Sequence, residues 1–369
     1  MSSLADRVPA YVRTFERYVP SRPDPVLMRQ YGVSQLHRLN NNENALGPPA
    51  LAREAIAAFA PERAAVYPSG DAHDLRQALA ARCGKSPEQF LVGNGSCEVI
   101  SAVIRAFCAP GDAIVTADKT FAVYEWVARF SGIETRLVPL ARHAFDPAGL
   151  LAAVTDNVRI VFVCNPNNPT GAWWNRAVLE RFLAALDGRA LVVLDEAYRE
   201  YIDDPDYPDG MEVMERHDNV LVFRTFSKMY GLAGLRVGYL CGSLEAVDFV
   251  RRAHIAYSVN SLGQIAAAAA LADDAGHIEA TRRMVAGARG HLHGLFDAMG
   301  LEYISGAGNF VMVRAPVPDT LLYRRLMREG VMVRTMTGFR YPNWIRVSLA
   351  REQAMEAFAK AFRKVLDLP

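Results

Sequence analysis

The sequence predicts an α/β fold with a mostly parallel central sheet flanked by helices, followed by a small α+β domain. From about residue 75 to 245, short β-branched segments alternate with helical periodicity. Several of these segments, such as VRIVFVC and ALVVLDEA, are continuous apolar runs, which is typical of strands buried on both faces. Beyond Asp273 the pattern changes to a long helical stretch followed by short strands.

The predicted strands of the large sheet are spread through the middle of the chain. They are Ala113–Thr116, Glu134–Pro139, Val158–Cys164, Leu191–Asp195, Val220–Arg224 and Val237–Cys241. In a sheet of this kind, ligands bind beyond the carboxyl ends of the strands. The residues that directly follow each strand are therefore the first candidates for a functional site.

The two ends of the chain differ from its middle in their pattern of predicted helices and strands. The C-terminal part predicts a helix to Ala298, then strands at Phe310–Arg314, Val331–Arg334 and Trp344–Ser348, and helices at Thr320–Glu329 and Arg351–Leu366. The N-terminal part lacks strong periodicity, and its YVPSRPDP segment favours an extended arm. We therefore expect an arm or lid at 1–44, a large domain at 45–273 and a small domain at 274–369.

Composition excludes several classes of protein. The 369 residues are 51% hydrophobic and 22% charged with a net charge of +1, which argues against a disordered chain and a nucleic-acid partner. Five cysteines without zinc-site spacing indicate a reducing, cytoplasmic location, and no metal site is expected. The longest apolar run, Ile265–Ala272, is too short to span a membrane.

The segment GNGSCEVI at 93–100 combines a glycine turn with the start of a predicted helix. Free N–H groups at a helix start bind anions, although a plain helix start is an equally good interpretation of this segment alone. A dinucleotide fingerprint would need a third glycine after Gly93 and Gly95, and Val99 follows Glu98 instead. The segment therefore predicts an anion site without favouring a nicotinamide cofactor.

Polar residues also follow the next two predicted strands. The first strand leads into NPNNPTG, whose asparagines either donate to a ligand or stabilise a turn. The second leads into DEAY, which places Asp195 and Tyr198 at the same edge of the sheet. A carboxylate at the end of a buried strand is costly unless a cation or a donor meets it, and the alternative is a helix-capping Asp.

Lys228 lies in the segment RTFSKMYGLAGLRVGY, directly after a predicted buried strand. Ser227 precedes it, and Arg236 follows a glycine-rich turn. A lysine near cationic groups in a closed site has a lowered pKa, so its free amine is able to form a Schiff base with a carbonyl compound. For an isolated lysine, a solvated surface position would be the usual interpretation.

Taken together, these motifs resemble those of the fold-type I pyridoxal-phosphate aminotransferases, and most closely the histidinol-phosphate aminotransferase family. The resemblance covers almost the whole chain. It rests on YVPSRP, NENALGPP, Tyr67-Pro68, GNGSCE, TFAVY, NPNNPTG, DEAY and TFSKMYGLAGLRVGY. The resemblance implies the fold of that family, with pyridoxal 5'-phosphate as the cofactor.

The resemblance implies roles for individual residues. Lys228 matches the lysine that binds the cofactor covalently and then moves the Cα proton, and Asp195 matches the carboxylate that pairs with the pyridine nitrogen. Tyr67 matches a tyrosine that reaches the cofactor phosphate of the neighbouring subunit, which implies a homodimer. The other matching cofactor contacts are Asn168 and Tyr198 at the phenolic oxygen, Phe121 on the ring face, and Ser96, Cys97, Ser227 and Arg236 around the phosphate.

The resemblance also implies a substrate pocket. Arg334 and Arg346, on neighbouring strands of the small domain, match residues that bind an anionic group. The remaining matches are Tyr18, the stretch 40–43 and Asn44 in the arm that closes over the substrate. The sequence departs from the family pattern at Ala45, and at Arg340, Tyr341, Asn343 and Trp344, where we expect bulky side chains to reshape the pocket.

Histidinol phosphate with 2-oxoglutarate is the first expectation for the substrates. An aromatic or specialised-pathway amino-acid aminotransferase is the alternative within the same chemistry. A decarboxylase of a phosphorylated amino acid would use the same cofactor but break a different bond at Cα. A noncatalytic regulator is disfavoured, because such a protein would normally lack the lysine that stands here at position 228.

Overall fold

The computed structural model describes residues 4–15, 22–272 and 274–366, which form two sheets. The strands are β1 His37–Leu39, β2 Phe90–Gly93, β3 Ala113–Ala117, β4 Glu134–Val138, β5 Val158–Cys164, β6 Leu191–Asp195, β7 Val220–Thr225, β8 Gly238–Cys241, β9 Tyr303–Ile304, β10 Phe310–Arg314, β11 Val331–Thr335 and β12 Trp344–Ser348.

Helices cover both sheets. They are α1 Ala10–Arg13, α2 Asp24–Tyr31, α3 Ala50–Ala57, α4 His73–Cys83, α5 Ser96–Phe107, α6 Val123–Phe130, α7 Pro147–Ala153, α8 Arg176–Leu186, α9 Gly210–Val213, α10 Leu244–Ala253, α11 Ser261–Ala272, α12 Asp274–Ala298, α13 Asp319–Arg328 and α14 Glu352–Leu366. Short 3-10 turns occupy Leu4–Arg7, Pro61–Ala65, Pro87–Gln89, Arg199–Tyr201, Ala233–Leu235 and Thr337–Phe339.

The large sheet has seven strands in the order β2-β8-β7-β6-β5-β3-β4. The five strands from β7 to β4 run parallel, and β8 is antiparallel to both β7 and β2. The inner strands β5, β6 and β7 are buried almost throughout, as their apolar sequences predict. Because these strands are parallel and adjacent, the loops after β5, β6 and β7 meet at one edge of the sheet.

The small sheet has five strands in the order β1-β11-β12-β10-β9, and it has its own apolar core. Strand β1 pairs with β11 in parallel, whereas the other pairings are antiparallel. Residues 37–39 lie within the segment for which the sequence predicts an extended arm. The end of that arm is therefore an edge strand of the small sheet.

Most predicted strands lie where the sequence placed them. Val158–Cys164, Leu191–Asp195, Phe310–Arg314 and Trp344–Ser348 begin and end at the predicted residues. Three strands were not predicted, namely β1, β2 and β9, which have two to four residues each and are too short to show a period. Within the described ranges, no helix is long and apolar enough to cross a membrane.

Candidate active site

A cavity of about 360 Å³ opens at the carboxyl edge of the large sheet and extends to the small sheet. Eleven of the predicted site residues line it: Ser96, Cys97, Phe121, Asn168, Asp195, Tyr198, Ser227, Lys228, Arg236, Arg334 and Arg346. The other lining residues are Asn41, Asn42, Glu43, Cys164, Ala197, Thr225, Ala233 and Phe339. The motifs that are scattered along the sequence thus share one space.

One end of the cavity is suited to an anion. Helix α5 begins at Ser96 after Gly95, which has no side chain with which to cap the first N–H groups. By contrast, Asp146 and Asn175 cap the starts of α7 and α8 with their side chains. The Arg236 guanidinium lies at the same end and donates from Nη1 to the Ser227 hydroxyl at 3.3 Å. A helix start and a guanidinium therefore face the same part of the cavity.

Two glycines allow this close approach. A Cβ built on Gly95 would lie 2.3 Å from Arg236 Nη2, and Gly95 has a φ of +76°. A Cβ on Gly238 would lie 2.7 Å from the backbone nitrogen of Ser96. Any side chain at either position would displace the helix start or the guanidinium, so the geometry of the anion end depends on both glycines.

Asp195 is the last residue of β6, and only 3% of it is exposed. The Tyr124 hydroxyl donates to its Oδ2, and the backbone N–H of Ala197 donates to its Oδ1 at 3.1 Å. Burial raises the pKa of this carboxyl group, against the opposite effect of these donors and of Lys228. A cation placed beside Asp195 would stabilise its ionised form.

Lys228 lies three residues beyond the end of β7, at Thr225. Its Nζ donates to the backbone carbonyl of Asn41 at 2.8 Å. Burial and then the positive charge of Arg346 lower the pKa of the amine to about 8, although the Glu43 carboxylate acts in the opposite direction. At pH 7 about one tenth of Lys228 is thus a free amine, many times more than for a lysine of ordinary pKa.

Tyr198 lies on the wall of the cavity next to the small sheet. Its hydroxyl accepts a hydrogen bond from Asn42 Nδ2 at 2.8 Å, and burial raises its pKa to about 12. Asn42 is fixed in turn by Ser348, whose hydroxyl accepts from the Asn42 backbone N–H at 2.8 Å and donates to Asn42 Oδ1 at 3.0 Å. A neutral tyrosine with a held hydroxyl is a suitable donor to an oxygen anion.

The other end of the cavity carries two arginines. Arg334 on β11 and Arg346 on β12 lie directly opposite each other in the strand register. Arg346 is buried and donates to Asn168 Oδ1 and, at 3.0 Å, to the Asn40 carbonyl. Burial, together with the charge of Arg334, lowers its pKa to about 10. Both guanidinium groups lie 5.8 Å from the centre of the Phe339 ring.

Two predicted site residues within the described ranges, Tyr67 and Asn44, do not line the cavity. Tyr67 is 84% exposed, and its ring lies 5.4 Å from that of Tyr257. Asn44 is buried beside the cavity, where its amide donates to the Met229 carbonyl at 2.7 Å and its oxygen accepts from the Leu46 N–H. Asn44 therefore fixes the chain rather than facing a ligand, and Tyr18 lies outside the described residues.

The loop expected to reshape the pocket contributes differently from the prediction. Of the bulky residues after β11, only Phe339 lines the cavity, and no motif of the sequence indicates a role for it. Arg340 contacts the Asp118 carbonyl and Tyr341 contacts His143, both in the part of the chain that forms the large sheet, and Trp344 packs in an apolar cluster with Met312 of the small sheet.

Other residues of the site were also missed. Tyr124 lies within the motif TFAVY, but nothing in its spacing indicates that its hydroxyl meets Asp195, 71 positions away. Glu43 and Asn42 belong to the predicted arm stretch, yet the sequence shows neither the charge of Glu43 near Lys228 nor the contact of Asn42 with Tyr198. These contacts depend on the tertiary fold alone.

Comparison with known proteins agrees with this geometry. The family model "Aminotransferase class I and II" matches residues 34–362. The chain is 41% identical over 357 residues to histidinol-phosphate aminotransferase 2 of Pseudomonas aeruginosa, covering 96% of both chains. It is 38% identical to histidinol-phosphate aminotransferase of Moorella thermoacetica, covering 96% of this chain and 92% of that one.

A solved structure shows the same likeness in three dimensions. The histidinol-phosphate aminotransferase of Sinorhizobium meliloti, crystallised with pyridoxal-5'-phosphate, superposes with a TM-score of 0.87 at 29% identity. The match covers 98% of this chain and 97% of that one. The chain belongs to the aminotransferase class I and II family and is a pyridoxal-phosphate-dependent aminotransferase of fold type I.

Proposed function

We propose that this protein is a histidinol-phosphate transaminase of histidine biosynthesis, which exchanges an amino group between histidinol phosphate and 2-oxoglutarate. The observation that carries this proposal is the pair of arginines, Arg334 and Arg346, which line the cavity from neighbouring strands of the small sheet. Histidinol phosphate carries its phosphate on the carbon next to the reacting carbon, and 2-oxoglutarate carries a carboxylate at each end, so both bring an anionic group into the cavity. Two guanidinium groups are suited to bind either one.

The residues of the cavity fit pyridoxal phosphate. The uncapped start of α5 and the Arg236 guanidinium suit its phosphate, and Gly95 keeps the space between them narrow. Buried Asp195 has only uncharged hydrogen-bond donors, so a protonated ring nitrogen would complete its environment. When bound, the cofactor supplies an aldehyde for an amine and a ring that accepts electrons from the substrate Cα.

The chain's own residues supply the rest of the chemistry. The Lys228 amine would hold the cofactor covalently, and as a free amine it would act as general base and acid, taking the proton from the substrate Cα and delivering it to the cofactor's C4′. Its lowered pKa, about 8, lets it change protonation state near neutral pH. All six remaining residues line the cavity: Tyr198 and Asn168 would donate to the oxygen on the ring, Phe121 would cover the ring face, and Ser96, Cys97 and Ser227 would surround the phosphate.

A half-reaction screen tests this proposal. Holoenzyme is mixed with single amino donors, and conversion of the cofactor from the pyridoxal to the pyridoxamine form is followed by absorbance. We expect histidinol phosphate to convert it faster than any other donor. Failure of histidinol phosphate alongside success of phenylalanine or tyrosine would assign the protein to the aromatic aminotransferases. Release of carbon dioxide from a phosphorylated amino acid would instead indicate a decarboxylase.

The aromatic alternative rests on one observation. Phe339 lines the cavity between Arg334 and Arg346, so an aromatic side chain of a substrate would meet an apolar ring there. The imidazole ring of histidinol phosphate would be met in the same way. The phosphate distinguishes the two, because it brings a dianion to the two guanidinium groups, whereas an aromatic amino acid brings a singly charged carboxylate.

We also propose a cytoplasmic homodimer in which Tyr67 reaches the phosphate of the neighbouring site. Its 84% exposure, with Tyr257 and Val66 also exposed nearby, supports a contact with a second chain, and five free cysteines suit a reducing compartment. Mixing Tyr67→Phe with Lys228→Ala protein should give hybrid dimers of partial activity. An active monomer by light scattering would refute the dimer.

The domain assignment is part of the same proposal. Residues 45–273 would hold the cofactor and 274–369 would close on the substrate, with 1–44 as the lid. Strand β1 lies in the small sheet, which supports a lid that moves with the small domain. Asn41, which accepts from Lys228, and Asn42, which contacts Tyr198, connect that lid to the cofactor end.

A further inference from the structure

The loop between β11 and β12 is held firmly by the small domain. Asp319, at the start of α13, accepts hydrogen bonds from the backbone N–H groups of Met336 and Thr337 at 2.9 and 2.8 Å. The Thr337 hydroxyl donates to the same carboxylate at 2.8 Å. Beneath the loop, Met336 and Trp344 pack with Met312 in a buried apolar cluster. The loop therefore moves with the small domain.

The tip of this loop contacts the large domain through Arg340. The guanidinium donates from Nη2 to both carboxylate oxygens of Glu125, at 2.9 and 3.1 Å, and from Nη1 to the Asp118 carbonyl at 2.8 Å. Glu125 lies in the first turn of α6 and is only 14% exposed. One side chain thus holds both ends of the large-domain segment 118–125.

Tyr341 adds a second contact between the same two parts. Its hydroxyl lies 3.0 Å from His143 Nδ1, and Lys119 Nζ lies 5.7 Å from the centre of its ring. His143 and Lys119 both belong to the large domain. The contact between the domains is therefore continuous over two adjacent loop residues.

These contacts lie at the mouth of the active site. Phe339, which directly precedes Arg340, lines the cavity from the small domain, and Phe121, within the segment that Arg340 holds, lines it from the large domain. We infer that Arg340 is a positioning residue, which through Glu125 and Asp118 sets the separation of Phe339 and Phe121 and keeps the cavity closed on a bound substrate.

The backbone at Arg340 distinguishes this contact from an ordinary surface ion pair. Arg340 has a φ of +62°, a left-handed conformation that is unfavourable for an arginine and that glycine adopts freely. The loop keeps a charged side chain at a position where glycine would fit the backbone better. An arginine at this position forms three hydrogen bonds between the domains, and a glycine would form none of them.

Glu125→Gln is the first test, with Glu302→Gln as its matched control. Glu302 accepts from Arg314 at 2.9 Å within the small domain, so each change weakens an arginine–carboxylate contact. Glu125 also lies 3.7 Å from Arg129 within α6, but only its contact with Arg340 joins the two domains. We expect Glu125→Gln to raise KM for the amino donor about threefold to fivefold, with kcat changed less than twofold. Hydrogen exchange in 117–122 and 337–342 should accelerate by a similar factor.

Arg340→Gly is the second test, because it removes the contact while favouring the observed backbone conformation. We expect it to raise KM for the amino donor and the rate of hydrogen exchange at least as much as Glu125→Gln does. The double variant Glu125→Gln/Arg340→Gly should have the same KM and exchange rate as Arg340→Gly alone. A KM equal to that of Glu302→Gln in both variants, with or without faster exchange, overturns the inference. The inference rests on the proposed function for its amino donor. Absence of turnover in the parent protein would reject that function, whereas the exchange measurement needs neither substrate nor cofactor.

Discussion

The two ends of the active-site cavity both attract anions, but they are built differently. At the proposed cofactor end, an anion would meet backbone N–H groups of α5 and one guanidinium, Arg236, and two glycines set the distances. At the proposed substrate end, it would meet two guanidinium groups, Arg334 and Arg346, on register partners of neighbouring strands. Backbone groups have few conformations, so the first end suits a resident group, whereas the second suits ligands that are exchanged in every turnover.

The two ends of the cavity also differ in the charges that they bring together. The cofactor end includes the buried carboxylate of Asp195 beside Lys228, so opposite charges occur together. At the substrate end, Arg334 contributes to the lowered pKa of Arg346, because like charges disfavour each other. A net charge of +1 for the whole chain therefore conceals a local excess of positive charge. An anionic ligand relieves that excess, and the following predictions separate the two ends on this basis.

The largest effect is expected for Lys228→Ala at the cofactor end. Removal of the amine should abolish covalent cofactor attachment, measured by mass spectrometry after borohydride reduction, and lower kcat by about 10⁴-fold or more. Lys360→Ala, at an exposed position of α14, is the control and should keep both properties. Covalent attachment that survives in Lys228→Ala would contradict the assignment.

Asp195→Asn should keep the covalent attachment but lower kcat by about 10²- to 10³-fold, because a neutral amide does not hold a proton on the ring nitrogen. Tyr124→Phe removes one hydrogen bond to that carboxylate and leaves its charge, so we expect a loss below about tenfold. Both are measured by steady-state kinetics. Equal losses in the two variants would show that the charge of Asp195 is unimportant.

At the substrate end, the two arginines should differ from each other. Arg346 also holds Asn168 and the Asn40 carbonyl, so Arg346→Ala should lower kcat/KM about 10²-fold, with both constants affected. Arg334→Ala should lower it about tenfold, mainly through KM. Arg314→Ala on β10 is the control. A loss at Arg334 that appears only in kcat would argue against a binding role.

A change of pH, without any substitution, should have an effect no larger than that of Arg334→Ala. Because the pKa of Lys228 is lowered to about 8, its amine is protonated below that pH and free above it. The rate at which cofactor-free protein captures pyridoxal phosphate should rise about tenfold between pH 7 and 9 and then level off. Stopped-flow absorbance measures this rate. A rate that continues to rise to pH 10.5 would indicate an unshifted lysine.

The sequence predicts the cofactor end better than the substrate end, and the reason is physical. Asp195 and Lys228 directly follow strands that can be identified from their apolar runs, and parallel strands end at one edge. The substrate end depends on how two domains meet. Phe339 rather than Tyr341 faces the cavity, and the loop conformation that decides this has no signal in the sequence.

Asn42 and Asn44 are a second example of side-chain positions that the sequence does not predict. Both are buried asparagines of one segment, yet Asn42 lines the cavity and Asn44 holds the Met229 carbonyl outside it. Asn42 has a φ of +58°, which reverses the direction of the chain locally. Composition and spacing are identical for either outcome, so only the backbone geometry distinguishes them.

The two close-approach glycines have a consequence for directed evolution. In a saturation library, we expect Gly95 and Gly238 to tolerate almost no replacement, because a Cβ at either would meet an atom at 2.3 or 2.7 Å. Gly234, in the same turn region, has no atom within 4 Å of its Cβ position and should accept alanine. Variants with new substrate preferences should therefore accumulate at Phe339 and its neighbours, where side chains rather than main chain form the wall.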